Sequence, residues 1–244
     1  MGASIVVTSG KGGVGKSTVV VGLSRALASR GRRVLMIDCD AGLRSLDRMT
    51  GIEAELVYDI SDLVHGHCAP IDAIYAGEPA GLYVLPAPGT DEGLIPPAIM
   101  ENLLPFLKKY YDYVILDSPA GIGKGFRSAA AAADRAILVC SPDPVCVRGT
   151  AVVRDLLTKE GQAEQKLLIN RFHPDWFSAT GVYPDLDAII DAAGVQLCGV
   201  VPDDYHMAAA FMRGEPAAEN TPGMMAMTRI AGRLEGDAVP MGIE

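Results

Sequence analysis

The segment "VTSGKGGVGKSTVV", residues 7–20, has the composition of a phosphate-binding loop. Gly10, four further residues and then Gly15-Lys16-Ser17 match the pattern GxxxxGK[ST], in which backbone N–H groups turn inward around a phosphate. Lys16 is spaced to reach the β- and γ-phosphates of a nucleotide, and the Ser17 hydroxyl is spaced to ligate Mg²⁺. We therefore predict that ATP is bound by Gly10, Lys11, Gly12, Gly13, Val14, Gly15, Lys16, Ser17 and Thr18.

Three aspartates follow apolar strand patterns and could complete this site. The segment "YVILDSPAG" (113–121) places Asp117 at a strand end in the Walker B form, which predicts that its carboxylate holds a Mg²⁺-bound water. The segment "VLMIDCDAGLRSLD" (34–47) carries Asp38 and Asp40, whose side chains point the same way in an extended chain. We predict that Asp38 supports the metal shell or Lys16, and that Asp40 orients or activates the attacking water. The predicted metal residues are thus Ser17, Asp38 and Asp117.

Short apolar segments alternate with helical patterns along the chain. Because the apolar segments are apolar at nearly every position, they are typical of strands covered on both faces by helices. This alternation predicts an α/β fold with a doubly wound, mostly parallel sheet flanked by helices, in one domain spanning 1–244. Ligands of such sheets bind beyond the carboxyl ends of the strands, where the loop and the aspartates fall. The predicted strands are 4–9, 33–38, 82–87, 113–118, 136–141, 166–171 and 197–202, and the predicted helices are 16–29, 97–109, 125–133, 148–160, 185–193 and 222–234.

The net charge and the cysteine pattern argue against a nucleic-acid-binding protein and against a disulfide-bonded one. The chain has 244 residues, of which 49% are apolar, and a formal net charge of −9. Because an acidic chain is repelled by nucleic acid, we expect no nucleic-acid partner. The five cysteines are scattered and form no CxxC pair, which is typical of reduced thiols in the cytoplasm. The cluster "HGHC" (65–68) is interpreted as a solvated turn rather than a metal site.

Neither end of the sequence carries a pattern for entering a membrane. The first residues lack a basic segment followed by an apolar one, so no signal peptide is predicted. Residues 235–244 contain Glu235, Asp237 and Glu244, no Lys or Arg, and helix-opposing Gly236 and Pro240. A basic amphipathic membrane helix is therefore not expected there. We expect a cytoplasmic protein that would reach a membrane through a partner.

These motifs together resemble the ParA/MinD family of ATPases, and most closely its MinD branch. "KGGVGKST" is similar to the family's deviant Walker A motif, which has a lysine at the position of Lys11, and "DCDAGLRSLD" is similar to the MinD form of the first switch segment. "LVYDISDLVHG", "LYVLPA", "DSPAGI" and "CGVVPDD" with "GEPA" extend the resemblance from about residue 3 to about residue 234.

The resemblance implies roles that spacing alone does not give. It implies that Lys11 crosses the interface of an ATP-bound homodimer and contacts the partner's nucleotide, which makes Lys11, Lys16 and Asp40 the catalytic set. It also implies that Asn170 reads adenine with its amide. Arg171, Pro202 and Asp203 are expected near the base.

The family pattern is not kept at every position, and this affects the expected partners. Gly123-Lys124 follow "DSPAGI", where an acid is usual, and "CVRGTAVVR" (146–154) has Gly149 and Ala151 where aspartates are usual. The resemblance implies MinC/MinE-like regulatory partners, but the surface that would contact them differs from the family pattern. Direct membrane binding is not expected, because the family's basic terminal helix has no counterpart in residues 235–244.

The sequence thus predicts a Mg²⁺-ATP-dependent ATPase that acts in spatial regulation, first in division-site placement. A flagellar-number or DNA-partitioning ATPase of the same family remains an alternative, although the charge of −9 gives no basic DNA-binding face. A non-cycling ATP-binding scaffold is disfavoured by Asp40 and Lys11. A biosynthetic amidase or a metal-cluster carrier is a further alternative, and the carrier would need a cysteine pair that is not seen.

Overall fold

An eight-stranded β-sheet forms the centre of the computed structural model, which describes residues 2–90, 95–162 and 164–242. The strand order is β3-β4-β2-β5-β1-β6-β7-β8, and every neighbouring pair is parallel except β3 with β4. The predicted doubly wound, mostly parallel sheet is therefore confirmed. The strands are β1 (Ala3–Thr8), β2 (Val34–Asp38), β3 (Tyr75–Ala76), β4 (Leu82–Leu85), β5 (Tyr113–Asp117), β6 (Arg135–Cys140), β7 (Gln165–Phe172) and β8 (Leu197–Pro202).

Helices cover both faces of the sheet. In chain order they are α1 (Lys16–Ser29), α2 (Ser45–Thr50), α3 (Ile60–His65), α4 (Pro70–Ala73), α5 (Pro97–Leu107), α6 (Lys124–Ala130), α7 (Pro144–Lys159), α8 (Pro174–Thr180), α9 (Leu186–Ala193), α10 (Tyr205–Met212) and α11 (Pro222–Leu234), with a short 3₁₀ helix at Glu53–Glu55. Helix α1 packs against α11 and α2, and α10 packs against α2. Helices α6 and α7 pack on β1 and β6, with α5 beside α6 and α9 beside α7. Strands so enclosed are apolar on both sides, which explains the unbroken apolar segments.

The last predicted helix is confirmed, including its first residue. Pro222 opens α11, and the Thr221 hydroxyl caps it by accepting a hydrogen bond from the Met224 N–H. Met224, Met227 and Ile230 are buried in the core, as their spacing indicates. Within the described residues, no helix is both long and apolar enough to cross a bilayer.

Three predicted helices differ from the structure at one end, because the helix predicted over 97–109 ends at Leu107, the one over 148–160 begins at Pro144, and the one over 125–133 ends at Ala130. The run of alanines predicts a helix over 125–133, whereas α6 ends at Ala130. The following strand begins at Arg135, and Asp134 just before it is tied to β1, because its carboxylate accepts hydrogen bonds from the N–H and hydroxyl of Ser4. The chain therefore leaves the helix after Ala130, so that Asp134 can accept these hydrogen bonds just before β6 begins.

Candidate functional site

The phosphate-loop motif joins β1 to α1 and adopts the backbone shape that anion binding needs. Strand β1 ends at Thr8 and α1 begins at Lys16, so residues 9–15 form the loop. Gly13 and Gly15 have left-handed φ angles of 78° and 90°, which ordinary residues adopt only with strain. The Ser9 hydroxyl donates to the Lys11 carbonyl at 2.8 Å and braces the turn. The loop therefore presents the amino end of α1 toward a bound phosphate.

Two neighbouring elements hold the loop from outside. A Cβ atom on Gly10 would lie 2.1 Å from the carbonyl carbon of Gly149 on α7, so the two backbones touch. A Cβ atom on Gly15 would lie 2.5 Å from Nδ2 of Asn170 on β7. The buried Asn170 amide also donates to the Val14 carbonyl at 2.8 Å. These contacts hold the loop against α7 and β7, and they were not foreseen from the sequence.

Asp38 and Asp117 lie side by side, because β2 and β5 pair in a register that places these two residues opposite each other. Both are buried, each about 1% exposed. Burial raises the pKa of Asp117 to about 8; the neighbouring Asp38 adds to this rise, while the Ser17 hydroxyl and Lys16 oppose it. Burial also raises the pKa of Asp38 to about 6. Burial thus favours the neutral form of both carboxyl groups.

One oxygen of this pair fits a Mg²⁺ site. Asp117 Oδ1 is fully buried and has no hydrogen-bond partner among the described residues, while the same carboxyl group interacts with Ser17. An unpaired buried carboxylate oxygen beside a hydroxyl suits a hard cation with oxygen ligands. Mg²⁺ is commonly held by one or two protein groups together with substrate phosphates, and Ser17 and Asp117 would be two such groups.

Asp38 also makes structural hydrogen bonds that the sequence did not predict. Its two oxygens accept hydrogen bonds from the N–H groups of Asp40 at 2.9 Å and Leu46 at 3.0 Å. The carboxylate therefore ties the 40–46 segment, with the half-buried Asp40, to the end of β2. Arg44 within this segment has a left-handed φ of 47°, an uncommon conformation for arginine. The metal role of Asp38 stays a prediction.

The two lysines of the loop occupy different surroundings. Lys16 is buried at the start of α1, close enough to Asp117 to oppose the rise of its pKa. The side chain of Lys11 is 46% exposed and lies 3.4 Å from the Asp143 carboxylate at the amino end of α7. Burial opposes ionisation of Asp143, but hydrogen bonds from the Ser141 hydroxyl and the Cys146 N–H, together with Lys11, hold its pKa below the ordinary value. Lys11 thus forms its ion pair with a residue of its own chain.

A cavity of about 610 Å³ adjoins the phosphate loop and is of a size suited to a nucleotide base and sugar. Arg171 and Asp203 line it, as predicted for residues near a base, and their side chains lie 3.5 Å apart. Pro202 instead lines a separate apolar groove with Phe172. The sequence analysis did not single out Ser141, Pro142, Asp143, His173 or Trp176, which also line the cavity.

The fold and this site define a P-loop nucleotide-binding protein, with the loop, the acidic pair and the adjoining cavity at one edge of a parallel sheet. Residues 5–217 match the model of the CobQ/CobB/MinD/ParA nucleotide-binding domain. The chain belongs to this family.

Individual relatives show which branch of the family this chain resembles. The septum site-determining protein MinD of Bacillus subtilis is 38% identical over 249 aligned positions, which cover 100% of this chain and 92% of that protein. The MinC:MinD cell division complex of Aquifex aeolicus contains a chain with a TM-score of 0.89 and 34% identity, covering 98% of each chain. MinD of Pyrococcus horikoshii, solved with Mg-ADP, has a TM-score of 0.85 and 30% identity over 96% of each chain. The chain is therefore MinD-like along its length.

Proposed function

We propose that this protein is a MinD-like ATPase that dimerises when it binds Mg²⁺-ATP, returns to the monomer after hydrolysis, and acts in division-site placement. One observation supports this most: the phosphate loop carries both the buried Lys16 and the exposed Lys11, beside the buried, unpaired oxygen of Asp117. The septum site-determining relatives at this level of identity favour division-site placement over flagellar or DNA-partitioning roles.

The residues of one chain would bind and orient the nucleotide. The backbone N–H groups of 10–18 and the Lys16 ammonium would hold the phosphates. Ser17 and Asp117 would hold Mg²⁺, with Asp38 in support, and the ion would supply neutralisation of charge on the phosphate oxygens. Asn170 already contacts Val14, so adenine contact through this amide would link the base to the shape of the loop. Arg171 and Asp203 would flank the base.

Asp40 would act on the attacking water. Its N–H is fixed by Asp38 at the end of β2, which places the residue at the same sheet edge as the phosphate loop. A carboxylate there can accept a proton or orient a water for in-line attack. Because this task arises in the transition state, Asp40 would matter to turnover more than to ATP binding.

Lys11 would act on the nucleotide of a second subunit. Its contact with Asp143 is an exposed ion pair, which is worth only about 0.2–1 kcal/mol, so its release costs little. A lysine about 4 Å from a phosphate charge gains roughly 4 kcal/mol at an effective dielectric of 20. The larger gain is available only when the partner holds ATP, which couples ATP binding to dimerisation.

A regulatory partner for this chain can be proposed from the complex that a relative forms. A relative's structure is a MinC:MinD complex, and this supports a MinC/MinE-like regulatory partner for this chain. The α7 surface, with Gly149 and Ala151, would then require a partner adapted to it. The cytoplasmic location, and any access to a membrane through a partner, remain predictions.

Phosphate release by wild type and Lys16→Ala, with and without Mg²⁺, tests the proposal. We expect Mg²⁺-dependent turnover in the wild type that is lost in the variant. ATP binding without turnover would favour the non-cycling scaffold instead. Tight binding to duplex DNA by the ATP-bound wild type would favour the DNA-partitioning role.

A further inference from the structure

A second cavity, of about 810 Å³, lies at the edge of the sheet opposite the phosphate loop. The starts of β1, β2 and β6, the segment between α5 and β5, and the end of α11 line it. Since β1 has six residues, each rising about 3.3 Å, the cavity lies roughly 20 Å from the phosphate loop. The proposed nucleotide site contributes no residue to it.

The lining of this cavity is strongly basic in an otherwise acidic chain. Five basic side chains line it against two acidic ones, whereas the whole chain has 21 basic and 30 acidic residues. Three of the five are paired with carboxylates, so the positive charge that could attract an anion comes from the other two. The basic residues are Arg32, Arg33, Lys108, Lys109 and Arg135, and the acidic ones are Asp112 and Glu235.

Two of the five cations are available to a ligand. The other three pair with Glu235, Asp134 and Glu164. In the described part of the chain, the guanidinium of Arg33 and the ammonium of Lys109 form no ion pair, although the Arg33 backbone N–H binds the Asp112 carboxylate. They lie near aromatic rings instead, with the Arg33 guanidinium 5.5 Å from the centre of Tyr111 and the Lys109 ammonium 6.0 Å from that of Phe106. Their N–H groups can therefore donate to an incoming anion.

Backbone contacts hold the cavity wall in place. The Gly2 N–H donates to the Lys108 carbonyl at 2.9 Å, and the Arg33 N–H donates to Asp112 Oδ2 at 2.8 Å. A Cβ atom on Gly2 would lie 2.0 Å from the Tyr111 carbonyl oxygen, so this approach requires glycine. The basic side chains thus project from fixed positions, which lowers the entropic cost of binding.

We propose that this cavity binds a small organic phosphate, either free or as the headgroup of an anionic lipid. A phosphate monoester carries nearly two negative charges and three acceptor oxygens, and each unpaired cation of the lining, Arg33 and Lys109, can donate to such a group. Tyr110, Tyr111 and Tyr113 add ring surface and hydroxyl donors for the organic part. The volume suits a small ligand.

The test uses the full chain with its nucleotide site filled by saturating Mg²⁺-ADP. Calorimetry with inositol trisphosphate probes the free ligand, and co-sedimentation with phosphatidylcholine vesicles, with and without phosphatidic acid, whose headgroup is a phosphate monoester, probes the headgroup. The variant Arg33→Gln with Lys109→Gln removes the two unpaired cations. The matched control, Lys159→Gln with Arg213→Gln, removes two exposed charges that do not line the cavity.

We expect the cavity variant to bind about tenfold or more weakly than the control, with Mg²⁺-ADP affinity and circular dichroism unchanged. Binding of inositol trisphosphate alone would identify a free phosphate, and binding to the phosphatidic acid vesicles alone would identify a headgroup. Wild-type affinity should also fall as salt rises. The proposal is overturned if the wild type binds neither probe, if both variants lose affinity equally, or if wild-type affinity is independent of salt.

Discussion

At the carboxyl edge of the sheet Asp38 and Asp117 are buried side by side, whereas at the amino edge Arg32 and Arg135 pair with carboxylates at the surface. Burial is the main reason that the pKa of Asp117 rises to about 8, and the neighbouring Asp38 adds to the rise. The arginines at the amino edge are instead partly in water and paired with carboxylates. A substitution of a buried charged group at the carboxyl edge should therefore have a larger effect than one at an ion pair of the amino edge.

The largest effect at the carboxyl edge should come from Lys16→Ala. The change removes the buried cation that meets the phosphates, so ATP affinity should fall about a hundredfold or more. Calorimetric titration with Mg²⁺-ATP measures this, and Lys159→Ala on the exposed end of α7 is the matched control. Unchanged affinity in Lys16→Ala would defeat the phosphate-loop assignment.

Lys11→Ala should separate dimerisation from binding. Each monomer keeps Lys16 and the loop backbone, so ATP affinity in dilute protein should stay within about threefold of wild type, while ATP-dependent dimerisation weakens about a hundredfold or more. Analytical ultracentrifugation with ATP checks the second value. If Lys11→Ala still forms the dimer at wild-type concentrations, the lysine acts only within its own chain.

Asp117→Asn should remove the benefit of Mg²⁺ without unfolding the protein. Near pH 6 the buried Asp117 is already mostly neutral, because burial raises its pKa to about 8, so the amide should alter the free energy of unfolding by only about 1 kcal/mol. Thermal melts should show that Mg²⁺-ADP raises the Tm of wild type but raises that of the variant no more than ADP without Mg²⁺. A full Mg²⁺-dependent increase in the variant would place the metal on another residue.

Glu235→Gln should have the smallest effect. The Glu235 side chain is only 8% exposed and is held by the more exposed Arg30 and Arg32; burial opposes its ionisation, but their hydrogen bonds lower its pKa below the ordinary 4.5. Because both arginines are partly in water, the loss should be about 1 kcal/mol at pH 7. A lowered carboxyl pKa stabilises only the ionised form, so the difference from wild type should be fully present at pH 7 and shrink as the pH falls below 4.5. Urea unfolding at a series of pH values from pH 7 downward checks this, and a difference that does not shrink with falling pH would mean packing rather than charge.

The sequence predicted the parts of the fold that depend on local pattern. All seven predicted strands are confirmed to within about one residue at their starts, because buried parallel strands are apolar throughout. The two-residue β3 was missed, as were short helices such as α2, which begins beside Arg44 in a left-handed conformation. Elements this short carry too few residues for a periodic pattern.

The residues of the candidate site could likewise be predicted only where a local motif contains them. The phosphate loop, Asp38 and Asp117 could be located because each lies at a strand end within a motif. The contact of Lys11 with Asp143 spans 132 positions and that of Asn170 with Val14 spans 156, and no local pattern encodes either. The basic cavity gathers residues from five separate segments, so it was equally invisible in the sequence.

The central claim is an ATP-driven cycle between monomer and dimer, and gel filtration of wild type and Asp40→Ala tests it most directly. Each protein is run with Mg²⁺-ATP, with Mg²⁺-ADP and without nucleotide, and phosphate release is measured in parallel. We predict that both are dimers with ATP and monomers otherwise, and that Asp40→Ala stays dimeric longer because its turnover is about a hundredfold slower. An elution position that is the same under all three conditions, or wild-type turnover in Asp40→Ala, would contradict the account.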